Sequence, residues 1–174
     1  MDGIDRLIGR IKKRVADPLR AVDAAEWVRP IPAMAPPATE ADVDAAEAAL
    51  GFPVPLLLRR LYTEVGNGGW GPFYGLQGIP TDGAKPDAND IIGFYLECIS
   101  SERALESPAV QWPRGLITLI SRGCVDYEVC SFVRPPYPVF RLSGDTWDPE
   151  RPVEESLEPV AESLEGRLET WEVS

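Results

Sequence analysis

Apolar residues recur at two spacings along this chain, and the alternation between them predicts most of its elements. Ile4, Leu7, Ile8, Ile11 and Val15 make one stripe of a helix over residues 3–16, ringed by Arg6, Arg10, Lys12, Lys13 and Arg14 and stopped by Asp17-Pro18. Residues 29–37 carry four prolines and read as an extended connection. Thr39-Glu40-Ala41-Asp42 approximates a capping box before Val43, Ala46 and Leu50, with Gly51 as the stop. A second, strongly apolar helix opens at Pro55 and runs through Leu56, Leu57, Leu61, Tyr62 and Val65 into Gly66-Asn67-Gly68-Gly69. There Gly66 is expected to take the left-handed position that ends the helix. Residues 73–79 then read as a short strand, and Asp90 caps a helix to about 101 with Ile91, Ile92, Phe94, Tyr95, Cys98 and Ile99 on its apolar face.

The second half shifts to strand spacing. Residues 116–120, 123–132 and 137–142 predict a three-strand meander. On the middle strand Val125, Tyr127 and Val129 share one face, while Cys124, Asp126, Glu128 and Cys130 share the other. The second face is expected to meet water. Ser156 is read as the cap of a last helix, with Pro159 in its first turn and Leu157, Val160, Leu164, Leu168 and Trp171 inside. The division expected is an N-terminal basic helix and proline-rich connection over 1–38, then one domain over 39–174.

Charge changes this picture more than composition does. The 174 residues carry a net charge of -11 and no histidine. Residues 1–20 hold six basic and three acidic side chains, so the rest carries 11 basic against 25 acidic, a balance of -14. That argues against a nucleic-acid surface and for a cationic partner. Without histidine there is no Ser-His-Asp or Cys-His nucleophile, and with so many carboxylates a chance acidic pair is no sign of acid-base chemistry. The glycine run lacks the lysine and the element order of a phosphate loop. No enzyme activity, cofactor or metal is expected.

Three cysteines, with no apolar run long enough for a membrane span and no signal-peptide core at the N-terminus, predict reduced thiols in the cytoplasm. On one extended strand, Cys124 and Cys130 would stand about 20 Å apart, beyond disulfide reach. The basic helix is expected to dock on the chain's own acidic body, since it lacks the bulky aromatics of a membrane-surface helix.

Leu50-Gly51-Phe52-Pro53, Leu61-Tyr62, Gly66-Asn67-Gly68-Gly69, Trp112-Pro113, Gly123-Cys124, Pro138-Val139-Phe140 and the helix ending in Trp171 resemble, in this order, the SUKH superfamily, named after a fungal cell-wall synthesis regulator. The resemblance spans roughly residues 38–172. It implies an α+β fold, helices packed on a mostly antiparallel sheet with a helix at the C-terminal end. For many bacterial members it also implies an immunity protein that binds a cognate secreted toxin, often a nuclease. The alternative is a regulatory or scaffold module of the same fold. Residue chemistry, not the resemblance, nominates Glu64, Trp70 and Tyr74 near the glycine corner, Asp126 and Glu128 on the open sheet face, and Glu162, Glu165 and Glu169 as a rim for a basic protein partner.

Overall fold

A computed structural model describes residues 3–23, 34–100, 111–148 and 150–174. Helix α1 (Gly3–Val15), α2 (Glu40–Leu50), α3 (Leu56–Glu64) and α4 (Ile91–Ser100) precede strands β1 (Leu116–Gly123), β2 (Asp126–Ser131) and β3 (Val139–Ser143). A 3-10 turn over Val153–Ser156, strand β4 (Glu158–Ala161) and helix α5 (Leu164–Glu172) complete the chain. The sheet is antiparallel throughout, in the order β1-β2-β3-β4. This is the expected α+β arrangement, with β4 joining the three-strand meander.

Local chemistry sets the helix ends. Thr39 accepts from the Asp42 backbone N–H at 3.2 Å while Asp42 accepts from the Thr39 N–H at 2.9 Å, so the capping box is reciprocal. Gly51, at φ 77°, closes α2 in the left-handed region. Asp90 accepts from the Ile92 and Gly93 N–H groups, each at 2.8 Å, and starts α4.

The basic helix does dock on the body. Leu7 and Ile11 are fully buried, Ile8 nearly so, and all three join the same core as Leu58, Leu61, Tyr62, Trp70, Ile117, Leu119 and Trp171. Around that seam Arg10 meets Glu172 at 2.7 Å, Lys12 meets Glu64 at 3.0 Å and Arg60 meets Asp5 at 2.7 Å. Burying Leu7, Ile8 and Ile11 contributes roughly 1.5–3 kcal/mol each, whereas exposed ion pairs give at most about 1 kcal/mol each. Packing, not charge, holds α1 in place.

Asp23 fastens the end of this arm. Its Oδ1 accepts from the Trp171 indole N–H at 3.0 Å and its Oδ2 from the Phe73 N–H at 2.9 Å, while Val22 bridges to Gly71. One carboxylate thus ties the N-terminal arm, the glycine corner and the last helix together.

Four expectations are corrected. Helix α3 ends at Val65, and Gly66 is not left-handed; a Cβ there would stand 2.8 Å from the Ala35 carbonyl oxygen, so close approach requires the glycine. Residues 73–79 form no regular strand. Positive φ at Gly71, Phe73 and Gly75 breaks the extended run, leaving one bridge, Leu76 to Ile120, beside β1. Gly123 pairs with Asp126, so Cys124 and Val125 form a tight turn, not part of β2. Cys124 adopts φ 49° and is exposed. Finally, Glu158–Ala161 is strand and not helix: the residue before Pro159 is biased to extended backbone, and Ser163, accepting from the Gly166 N–H at 3.0 Å, caps α5. Val160 is consequently exposed while Leu164, Leu168 and Trp171 are buried as expected.

Candidate protein-binding surface

The eight residues nominated from sequence fall into three environments. Trp70 and Glu128 are fully buried and cannot touch a partner. Trp70 donates its indole N–H to the Gly66 carbonyl at 2.9 Å, with its ring 6.1 Å from that of Trp171. It belongs to the core because the glycine corner folds it inward.

Glu128 overturns the expectation of a solvated acidic sheet face. Its Oε2 accepts from Arg167 Nε at 2.7 Å, and its Oε1 accepts from Arg167 at 3.0 Å and Arg122 at 2.9 Å. The Arg167 pair is bidentate. Phe73 lies against both cations, 4.0 Å from Arg122 and 5.8 Å from Arg167. Helix α5 therefore roofs this face of β2, and two guanidiniums neutralise the carboxylate beneath it. The signal available in the sequence was Arg167 itself, the only cation in a helix full of glutamates.

Asp126 and Glu64 sit nearer the surface, each already engaged. Asp126 accepts from Arg141 at 2.8 Å, and Arg141 also reaches Glu158 at 3.5 Å. Glu64 takes Arg60 at 2.7 Å and Lys12 at 3.0 Å, and the Arg60 hydrogen bond holds its carboxyl below the usual range. Tyr74 stays open, with its ring against Gly123.

Glu162, Glu165 and Glu169 belong to a different feature. From Asp145 to Ser174 the chain holds ten acidic residues against Arg151 and Arg167. Arg167 is spent on Glu128, and Arg151 on Glu155. Arg10 engages Glu169 and Glu172. Glu154, Glu162 and Glu165 enter no ion pair among the described residues, and Glu154, Glu155, Glu158 and Glu162 are exposed. This acidic ridge follows the 3-10 turn and β4, the outer strand of the sheet. Arg167 is drawn off by Glu128, while Arg151, Arg141 and Arg10 each reach one ridge carboxylate, Glu155, Glu158 and Glu169, so the negative charge of the ridge is only partly compensated.

Two of the three thiols, Cys98 and Cys130, are inert by position, while Cys124 is exposed. Burial pushes the Cys98 thiol up to about 12 and the buried Cys130 thiol up as well. Among the described residues no cluster of three or more metal-ligating side chains occurs, and no helix is long and apolar enough to cross a membrane.

An antiparallel sheet packed with helices, with a helix at the C-terminal end, defines an α+β domain. The model of the SMI1 / KNR4 family (SUKH-1) matches residues 37–169, and the chain belongs to that family. Helix α1 lies outside the matched span. Neither the curated proteins nor the solved structures yield a match.

Proposed function

We propose that this SUKH-family chain is an immunity protein, which neutralises a cognate toxin with a basic surface by binding it directly. The observation that carries the reading is the acidic ridge over the 3-10 turn, β4 and the start of α5, where Glu154, Glu158 and Glu162 stand exposed. A nuclease-type toxin carries cationic side chains for phosphate, and an acidic outer strand meets them with electrostatically steered association. No reactive group is needed for such a role. Glu165 and Glu169 extend the ridge onto α5.

The test is co-expression with the protein encoded beside this chain's gene, read as growth rescue and as affinity by calorimetry. The combined variant Glu154→Lys, Glu158→Lys, Glu162→Lys is expected to lose rescue and weaken binding by about two orders of magnitude at 0.15 M salt. Its unfolding free energy should stay within about 1.5 kcal/mol of the parent, about 0.5 kcal/mol for each of three surface substitutions. Rescue undiminished by the triple reversal, with binding unchanged, would refute the assignment of the ridge.

A further inference from the structure

Eight arginines lie in the described residues from 34 onward. Six of them, Arg59, Arg60, Arg122, Arg141, Arg151 and Arg167, are in ion pairs. The two that meet no carboxylate among the described residues, Arg114 and Arg134, line the same groove. Arg114 donates only to the Gly51 carbonyl at 3.1 Å and leans toward the Phe52 ring; Arg134, in the connection from β2 to β3, is exposed. In a chain where acidic residues outnumber basic ones 28 to 17, carboxylates have captured the other six guanidiniums described from residue 34 onward. Two left without one at a single concavity call for a partner that supplies it.

The groove between them has a volume of about 250 Å³. Its apolar lining comes from Leu116 of β1, Phe140 of β3, Pro138 and Leu157. Phe140 and Leu157 are half-buried, so apolar surface is open to an incoming side chain. Glu154 is the one carboxylate that lines it among the described residues. A space of this size takes one aromatic or branched aliphatic side chain with its backbone, not a second folded domain.

We infer that this groove binds an extended segment of a protein partner that presents an apolar side chain beside a carboxylate, the side chain on Leu116 and Phe140 and the carboxylate between Arg114 and Arg134. Guanidinium and carboxylate match in planar, bidentate geometry. The chain's net charge of -11 does not forbid an acidic segment here. At 0.15 M salt the screening length is about 8 Å, so the two rim arginines outweigh more distant carboxylates, and Glu154 opposes them locally. The groove adjoins the acidic ridge, sharing Glu154 with it, but binds a partner of the opposite charge and does not rest on the immunity reading.

The test uses the full chain and a fluorescein-labelled pentapeptide of one phenylalanine flanked on each side by two aspartates, read by fluorescence anisotropy. Lysine-flanked and alanine-centred versions are the comparisons. The aspartate-phenylalanine peptide should bind, and the other two should bind at least about tenfold more weakly. Arg134→Glu should weaken binding about tenfold or more, whereas Lys85→Glu, an equal charge change on an exposed loop, should leave it within about twofold. Glu154→Gln should strengthen it. The inference is overturned if the lysine-flanked peptide binds as well, if removing the phenylalanine changes nothing, or if Arg134→Glu and Lys85→Glu act alike. It is equally overturned if sedimentation shows a dimer that Arg134→Glu dissociates and the peptide cannot compete.

Discussion

Glu128 gives the sharpest quantitative test, because its buried carboxylate is held by three hydrogen bonds of 2.7 to 3.0 Å from two arginines. Glu128→Ala removes all three and leaves two guanidiniums facing a cavity. Breaking a buried ion pair from one side costs about 3–5 kcal/mol. The side chains of Arg122 and Arg167 are 24% and 12% exposed, so each can recover some hydration, which sets the expectation near the lower end, about 3 kcal/mol. Glu128→Gln keeps the shape but points an amide N–H at guanidinium donors and should cost about 2 kcal/mol. In the double variant Glu128→Leu, Arg167→Met most of this loss should be recovered, since an apolar pair of similar volume leaves only Arg122 unpaired, and Arg122 still rests on Phe73. The coupling between positions 128 and 167 should therefore exceed about 1.5 kcal/mol in a double-mutant cycle. Urea unfolding followed by tryptophan fluorescence measures it, with an unchanged denaturant slope as the check on two-state behaviour. A Glu128→Ala variant within 1 kcal/mol of the parent would refute the reasoning and return Glu128 to the role of a surface contact.

Other outcomes follow from the same geometry. Ile11→Ala in α1 should cost about 2–5 kcal/mol in the same assay, since the side chain is fully buried; a loss below 1 kcal/mol would mean that α1 is only loosely attached. Gly68→Ala should destabilise strongly, because φ is 86° and a Cβ would stand 2.7 Å from the Gly78 backbone nitrogen. Iodoacetamide at pH 8 should label Cys124 alone in the folded chain and all three cysteines in urea, as mass spectrometry will count. The Glu64 carboxyl titrates below its usual range in the folded state, so its contribution is present above the ordinary glutamate pKa and lost as pH falls through the lowered one. Glu64→Gln should accordingly flatten the acid side of the stability profile, and an unchanged profile would count against the Arg60 pairing.

Residues that interact with near neighbours were legible in the chain. Thr39 and Asp42 form a cap wherever their segment is helical, Gly51 ends it, and the spacing of Leu7, Ile8 and Ile11 demands a covering surface whatever that surface is. Each of these is decided within about two turns of backbone, where propensity and periodicity suffice. The family match likewise rests on motifs that mark local corners.

Three matters were settled only in space. Glu128 read as solvated because strand alternation says which residues share a face, not what lies on it; Arg167 arrives from 39 residues away to cover it. Residues 158–161 carry a helix-compatible pattern, and the free edge of β3 takes them as a strand. Arg114 and Arg134 had no distinction in sequence until the folded chain placed both, without a carboxylate partner among the described residues, at one groove. Periodicity constrains a segment's own faces, while charge finds its partner through contacts between segments that only the folded chain brings together.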